Sequence, residues 1–332
     1  KAGETTTVTF TLSEASTDFI EDDISVSGGE LSNFAASSST VYTATFTPTA
    51  DSTTDGVISV DDTKFSDSFG NTNSDGSEDN NTLTLAVDTV SPTIEITSDV
   101  DSLKAGETTT VTFTLSEAST DFVEDDISVS GGELSNFAAS SSTVYTATFT
   151  PTASSTTDGV ISVASSKFSD SAGNENADGS DSNNTLTLSV DTVVPTLESS
   201  TPADNATAVA TDSNIVLNFS EAVDVESGNI VIYKASDDSV IETISVTSGQ
   251  VTGSGTNQIT VNPSSDLAND TVFYVQISAT AFDDAAGNSY AGISDKTSLR
   301  FRTVIPPDPD PDPPNVEGEY SVRFTGNGLS FG

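Results

Sequence analysis

The chain has 332 residues, of which 51 are acidic and 9 basic, and its formal charge at pH 7 is -42. Such an excess of negative charge argues against binding to nucleic acid and makes divalent cations the natural counter-ions. The sequence contains no Cys, His, Met or Trp, which excludes disulfides, cysteine nucleophiles, histidine bases and thiolate zinc sites.

The first part of the chain is a tandem repeat. Residues 1–93 and 104–196 are identical at 81 of 93 positions. An offset of 103 residues is too long for a solenoid unit and matches the roughly 100 residues of an immunoglobulin-type β-sandwich. We therefore predict one domain per copy: repeat 1 at residues 1–92, with its N-terminal strand missing, and repeat 2 at residues 93–195.

Each repeat shows a hydrophobic period of two. Val111, Phe113 and Leu115 alternate with threonines, which is typical of half-buried strands, and no segment shows the spacing of an amphipathic helix. The predicted fold class is all-β, with tandem immunoglobulin-like antiparallel β-sandwiches arranged as beads on a rod. The predicted strands of repeat 2 are Thr93–Thr97, Thr108–Ser116, Ile127–Ser130, a pair within Leu134–Pro151, Gly159–Phe168 and Thr185–Val190.

The rest of the chain does not repeat the first two units. Residues 196–304 show the same alternation, for example at 215–219, and predict a divergent third sandwich. Residues 305–315 contain PPDPDPDPP, which favours a stiff, extended linker. Alternation resumes at 316–332, which predicts the start of a further β domain. Because the chain has no Met, we expect it to be a segment of a longer protein.

Several motifs carry a resemblance to known families. Repeats 1 and 2 are similar to the bacterial Ig-like repeats of giant secreted adhesins of the biofilm-associated, RTX type, through VTFTLSEAS, VYTATFTPTA, FSDSAGN and VDTVVPT. The third sandwich resembles the Ig-like family first described in bacterial S-layer proteins, through TPADNATAVATDSNIVLNFSEAV and FDDAAGNSYAG. Both resemblances imply extracellular, multi-domain surface proteins, and neither implies an enzyme. The ending YSVRFTGNGLSFG is weakly similar to the opening strand of lectin-like jelly rolls.

Acidic signatures recur at equivalent places of the units. In each predicted sandwich, a Ser-Glu pair ends the second strand, and an Asp and a Gly-Asn follow the sixth strand. In repeats 1 and 2, an Asp also precedes the linker proline. In an immunoglobulin-type sandwich, the loops after the second and sixth strands lie at the end where the chain enters. We therefore expect Glu117 and Asp170 to face the linker that starts at Asp88.

Oxygen ligands that converge from a linker and two loops suit Ca²⁺, which takes six to eight oxygens at about 2.3–2.6 Å. We predict calcium clamps between domains that lock neighbours together, whereas carboxylates without a cation repel one another. The candidate ligands are Asp88, Asp99, Asp101, Glu117, Asp170 and Asn174 at the first junction, Asp191, Asp204, Glu221, Asp284 and Asn288 at the second, and Glu14, Asp67 and Asn71 in repeat 1. The alternative is that they are solvated turn residues, since turn chemistry alone favours Asp, Gly and Asn.

These observations predict a non-catalytic stalk segment of a large bacterial surface adhesin, stiffened by calcium and displaying a terminal binding module. The expected location is the cell surface or the extracellular space, and no membrane insertion is expected because no apolar run reaches about 18 residues. The expected partners are Ca²⁺, neighbouring domains of the same chain, and host, carbohydrate or abiotic surfaces bound by domains elsewhere. Alternatives are an S-layer or filament-forming protein and an accessory region of a secreted polysaccharide-active enzyme.

Overall fold

A computed structural model describes residues 1–305. Most of the predicted linker at 305–315 and the predicted further β domain at 316–332 lie outside the described residues. Within residues 1–305 the helical elements are four single 3-10 turns, at Glu21–Asp23, Asp79–Asn81, Glu124–Asp126 and Ser182–Asn184. None of the helices in this range is long and apolar enough to cross a membrane. The all-β prediction is confirmed.

The chain forms two compact units. The first contains residues 1–194, with which residues 286–288 are grouped, and the second contains residues 195–285 and those from 289 onward. Repeats 1 and 2 therefore belong to the first unit, and the divergent third sandwich belongs to the second.

Repeat 1 is built from two three-stranded antiparallel sheets. Its strands are β1 Thr6–Thr11, β2 Ile24–Ser27, β3 Gly29–Ala36, β4 Val41–Pro48, β5 Gly56–Val60 and β6 Thr82–Leu85. The strand orders are β1-β4-β3 and β2-β5-β6. Alternating side chains of these strands, among them Val8, Tyr42, Phe46 and Ile58, are buried in the core between the sheets.

Repeat 2 has two more strands than repeat 1. Its strands are β7 Ile94–Ser98, β8 Ser102–Lys104, β9 Thr109–Leu115, β10 Ile127–Ser130, β11 Gly132–Ala139, β12 Val144–Pro151, β13 Gly159–Val163 and β14 Thr185–Asp191. They form two four-stranded sheets, β7-β9-β12-β11 and β8-β14-β13-β10. The predicted strands are found, with one correction: β13 ends at Val163 instead of Phe168, because the chain turns at Ser166, whose φ is +59°. The short strand β8 was not predicted.

Core packing explains a pair of glycines in repeat 2, Gly132 in β11 and Gly159 in β13, which belong to the two different sheets. The ring of Phe149 is fully buried, and a Cβ atom at either Gly132 or Gly159 would lie 2.5 Å from its ring carbon Cζ. A side chain at either position would therefore collide with the centre of the core. Both glycines recur in repeat 1 as Gly29 and Gly56, where the neighbouring ring is that of Phe46.

The second unit is a separate sandwich with a core of its own. Its strands are β15 Leu197–Thr201, β16 Ala206–Val209, β17 Ile215–Val225, β18 Asn229–Lys234, β19 Val240–Ser245, β20 Val251–Thr252, β21 Thr256–Val261, β22 Val272–Ile277, β23 Phe282–Asp283 and β24 Arg300–Thr303. One sheet has the order β15-β17-β21-β20, with β23 also on β17, and the other has the order β16-β24-β22-β18-β19. The alternation predicted at 215–219 buries Ile215, Leu217 and Phe219.

Candidate metal centre

Three carboxylates from separate segments of the first unit meet where repeat 1 passes into repeat 2. Asp88 lies on the connection after β6, Glu117 follows β9, and Asp170 lies in the loop after β13. One carboxylate oxygen from each residue lies within 4.8 Å of the other two. Asp170 is buried, and Asp88 and Glu117 are half-buried. Glu117 and Asp170 thus lie beside Asp88, the linker residue that the sequence analysis expected them to face, and metal binding by the three acids stays a prediction.

The start of β7 is tied to the end of β9. The N–H of Ser116 donates to the carbonyl of Thr93 at 2.9 Å, and the N–H of Thr93 donates to Oγ of Ser116 at 2.9 Å. This pair of bonds brings the incoming connection next to the residue that follows Ser116. The serine of the Ser-Glu motif therefore binds the linker, and the next residue, Glu117, lies beside the linker as a result.

Asn174 holds two of the acids in place. Its backbone N–H donates to Oδ1 of Asp170 at 2.9 Å, and its side-chain amide donates to Oδ2 of Asp170 at 2.7 Å and to the carbonyl of Asp88 at 3.1 Å. Its own side-chain oxygen accepts the N–H of Ala2 at 2.7 Å. Because both ends of the amide are engaged, Asn174 acts here as a positioning residue, a role that the sequence prediction of a ligand did not foresee. The signal in the sequence for a structural role was that the same residue recurs in repeat 1 as Asn71.

Electrostatic repulsion acts on Glu117. Burial raises the pKa of its carboxyl group, and the negative charges of Asp88 and Asp170 raise it further. A bound cation would reverse this balance, because it would favour the ionised form of all three acids. Three converging carboxylates are hard oxygen donors, so the residues present fit Ca²⁺ or a similar divalent cation.

Repeat 1 contains an equivalent loop. The side-chain amide of Asn71 donates to Oδ2 of Asp67 at 2.7 Å, and its N–H donates to Oδ1 at 2.9 Å. These bonds, led by that of the Asn71 side chain, lower the pKa of Asp67. Glu14 is exposed, and within residues 1–305 no group of three acids that could hold an ion includes Glu14 or Asp67. The Asp-Asn loop of repeat 1 therefore has the same two hydrogen bonds as that of repeat 2.

The second predicted ligand set is divided between the two units. In the first unit, Oδ1 of Asp191 accepts the N–H of Val193 at 3.1 Å, as Asp88 accepts that of Val90 at 3.2 Å. In the second unit, carboxylate oxygens of Glu221 and Asp284 lie within 4.8 Å of each other. Asn288 is buried. A calcium clamp made from this set stays a prediction from the sequence.

Three predicted ligands are separated from these sites. In the sheet of repeat 2, Ile94 pairs with Leu115 and Ser98 with Val111. Asp99 and Asp101 therefore follow the far end of β7, roughly 13 Å along the strand from Ile94 at about 3.3 Å per residue. In the second unit, Leu197 pairs with Phe219 and Thr201 with Val216. Asp204 follows the far end of β15, where Oδ1 accepts the N–H of Arg300 at 3.0 Å.

Comparisons with solved structures gave matches at low sequence identity and with TM-scores below 0.5. The structure of FdeC, an Escherichia coli adhesin, has 18% sequence identity and a TM-score of 0.38, with 90% of this chain and 93% of that chain covered. Invasin, a bacterial integrin-binding protein, has 12% identity and a TM-score of 0.32, with 84% of this chain covered. The chain spans 51% of the invasin structure. The BSP domain of a biofilm-associated protein has 10% identity and a TM-score of 0.21, with coverages of 81% and 49%.

Family models gave direct matches. A model described as a bacterial Ig-like domain matches residues 1–84 and 88–187, and a second model of the same description matches residues 191–303. No protein with a curated description matches the chain. Since the first model alone covers more than half of the chain, and the second covers most of the remainder, the chain belongs to the bacterial Ig-like domain family.

Proposed function

We propose that this chain is a non-catalytic, extracellular stalk segment of a large bacterial surface adhesin, in which repeated domains hold a binding module away from the cell. Membership of the bacterial Ig-like family supports this role. The identity of the repeats at 81 of 93 positions also supports it, because copying a domain almost exactly lengthens a stalk, whereas a recognition site does not need to be copied. Eight of the twelve differences fall between Asp61 and Asp79, mostly in a loop, where sequence changes are tolerated better than in strands.

The second part of the proposal is that Asp88, Glu117 and Asp170 together bind Ca²⁺ where the two repeats join. The single observation that carries it is that three carboxylates from three segments lie within 4.8 Å of one another. One of the three segments, the loop that carries Asp170, is already ordered by Asn174. The raised pKa of Glu117 supports it, because charge repulsion remains uncompensated without a cation. With Ca²⁺ bound, the connection and both loops share one ion, so the junction stiffens.

Calorimetric titration of the full chain with CaCl₂ tests the binding site. We define the junction variant as the chain with Asp88→Asn, Glu117→Gln and Asp170→Asn. The matched control carries Glu14→Gln and Asp67→Asn, which are the same changes at the equivalent positions of repeat 1. We expect the junction variant to lose one binding event and the control to keep it. Equal binding by wild type and junction variant would contradict the calcium proposal.

Small-angle scattering of the same samples tests the stalk itself. A monomeric stalk segment should give the same molecular mass at all concentrations, with and without Ca²⁺. Mass that grows with protein concentration in Ca²⁺ would instead support the filament-forming alternative. The calcium site and the stalk role are therefore tested by separate readouts.

A further inference from the structure

Each repeat ends on a buried threonine that is held by the same hydrogen bonds. In repeat 2, Oγ1 of Thr192 donates to the carbonyl of Thr152 at 2.7 Å, and the N–H of Ser155 donates to that Oγ1 at 2.9 Å. In repeat 1, Thr89 makes the equivalent pair of bonds at 2.7 and 2.9 Å. Both threonines are buried, so this arrangement marks the point where the chain leaves each sandwich.

The second unit ends in the same way, although its sequence is not a copy of the repeats. Oγ1 of Thr303 donates to the carbonyl of Ala268 at 2.6 Å, and the N–H of Thr271 donates to that Oγ1 at 3.1 Å. The residue before the N–H donor is left-handed in both cases, with φ of +52° at Ser154 and +46° at Asp270. The three buried threonines are therefore structurally equivalent, and we call them the exit threonines: Thr89, Thr192 and Thr303.

The residue in front of the exit threonine reverses its charge in the second unit. It is Asp88 in repeat 1 and Asp191 in repeat 2, both within the sequence VDTV, and it is Arg302 in the second unit, within FRTV. Asp88 supplies one of the three carboxylates at the first junction. Nε of Arg302 donates to Oδ1 of Asp270 at 2.9 Å, and Nη2 donates to the same oxygen. A carboxylate that can bind a cation is thus replaced by a side chain that is itself a permanent cation.

The second unit keeps the acids that repeat 2 contributes from its loops. Glu221 and Asp284 are the counterparts of Glu117 and Asp170, and their carboxylate oxygens lie within 4.8 Å of each other. The second unit therefore carries the loop ligands at the end where the chain enters and lacks the connection ligand where the chain leaves. A divalent ion at that exit would face the positive charge of Arg302, which repels it.

We propose that the residue in front of the exit threonine determines whether a sandwich is joined to its successor through Ca²⁺, and that Arg302 makes the exit of the second unit independent of calcium. This inference rests on the proposed function, because it extends the calcium site of Asp88, Glu117 and Asp170. An arginine at this place offers N–H donors directly to the carboxylates of a following sandwich, so no ion is needed between them. Stiffening of the stalk by calcium therefore does not extend past this exit.

Moving the arginine to the first junction tests the proposal. The variant is Asp88→Arg, and the matched comparison is Asp88→Asn, which removes the charge of the ligand without supplying a cation. In calorimetric titration of the full chain with CaCl₂, we expect Asp88→Arg to lose the binding event of the first junction. Asp88→Asn should bind at least about tenfold more weakly than wild type, because the site has one negative charge fewer.

Melting of the same chains shows whether the arginine takes over the role of the ion. In EDTA, Asp88→Arg should melt at a higher temperature than Asp88→Asn, because the guanidinium compensates the charges of Glu117 and Asp170. Adding Ca²⁺ should leave the melting temperature of Asp88→Arg unchanged. The control for net charge is Asp22→Arg, at an exposed acid in a 3-10 turn of repeat 1. It should keep both the binding event and the rise in melting temperature with Ca²⁺.

The possible failures are distinguishable. If wild type shows no binding event at the first junction, the proposed calcium site is wrong and the present proposal is wrong with it. If wild type shows the event, two results would overturn the role of the arginine alone. One is a binding event that Asp88→Arg retains, and the other is melting of Asp88→Arg in EDTA at no higher temperature than Asp88→Asn.

Arg302 itself is tested by a distance across the exit of the second unit. The chain has no cysteine, so spin labels can be placed at Thr243→Cys, an exposed position of β19, and at Asn327→Cys, which follows the linker in the sequence. Pulsed electron resonance of the full chain should give the same distance distribution in Ca²⁺ and in EDTA. A distribution that narrows in Ca²⁺ would show that this exit does respond to calcium, against the proposal.

Discussion

The backbone N–H of Ala2 donates a 2.7 Å hydrogen bond to the side-chain oxygen of Asn174. Ala2 belongs to repeat 1 and Asn174 to repeat 2, so one amide side chain joins the turn before β1 to the loop that carries Asp170. The other end of the same amide bonds to Asp170 at 2.7 Å. Contact between the repeats and the arrangement of the acids therefore depend on the same residue.

Replacing Asn174 should weaken calcium binding without removing a ligand. Asn174→Ala leaves all three carboxylates and the backbone N–H that donates to Asp170, but removes the side-chain amide that donates to Asp170 and to the carbonyl of Asp88. Loss of such an outer contact typically reduces metal affinity by about 10–100-fold, and calorimetric titration of the full chain measures it. The control is Asn71→Ala in repeat 1, which should leave the affinity unchanged. Equal affinities for the two variants would show that Asn174 does not position the site.

Neutralising Glu117 should have opposite effects with and without a cation. Its folded-state pKa is raised, so the penalty for ionising it is present above that pKa and is relieved as pH falls through it. In EDTA at pH 7, Glu117→Gln should therefore raise the melting temperature, and the gain should shrink in acid. In Ca²⁺ the same change should lower it relative to wild type. Glu14→Gln is the matched control and should have no effect in either condition.

Stability in acid should depend on a carboxylate that accepts hydrogen bonds from serine residues within each repeat, an arrangement that we call the bridge. In repeat 1, hydrogen bonds from the side chain and backbone of Ser66, and from the side chain of Ser16, lower the pKa of Asp18 from 3.8 to about 2. The stabilisation from a depressed pKa is present above the unfolded value of 3.8 and is lost as pH falls towards about 2. Asp18→Asn should therefore flatten the pH dependence of stability across this interval, measured by circular dichroism melts.

A suitable control is Asp22→Asn, because Asp22 is an exposed acid of the same repeat in a 3-10 turn. It should leave that pH dependence as in wild type. Equal slopes for wild type and Asp18→Asn would contradict the role assigned to the bridge.

The two repeats should differ in stability although their sequences nearly agree. Leu188 of β14, the strand that pairs with β8, is fully buried, whereas its counterpart Leu85 is half-buried. We expect Leu188→Ala to cost about 2–5 kcal/mol of unfolding free energy and Leu85→Ala clearly less. Native-state hydrogen exchange separates the copies when the peptides extend beyond the strands, because β5 and β13 are identical in sequence but are followed by Asp61 and Ala164 respectively. In wild type, β5 should exchange faster. Faster exchange in β13 than in β5 would be evidence against this difference.

Most of the fold follows from the sequence because one face of each strand is buried. Alternation at Val111, Phe113 and Leu115 was enough to predict β9, and all three side chains are buried. Asp88, Glu117 and Asp170 could be brought together in advance because the topology of the sandwich decides which loops share an end. Family membership agrees with the motifs that were recognised in the sequence.

The positions of some acids and the role of Asn174 could not be predicted from the sequence. They depend on the direction of a strand and on single hydrogen bonds, and neither can be inferred from the types of the residues alone. Asp99 and Asp101 are near Asp88 in sequence, yet β7 carries the chain along the sandwich before they occur. The positioning role of Asn174 requires knowing that Ala2 arrives at its oxygen.

We propose that calcium at Asp88, Glu117 and Asp170 fixes repeat 1 against repeat 2, and the distribution of distances between the two repeats reports whether it does. The chain has no cysteine, so spin labels at Thr47→Cys and Thr150→Cys, equivalent exposed positions of the two repeats, report one distance by pulsed electron resonance. We predict a broad distribution in EDTA that narrows in Ca²⁺, and no narrowing in the junction variant. If the distribution for wild type were as wide in Ca²⁺ as in EDTA, calcium would not fix the two repeats against each other.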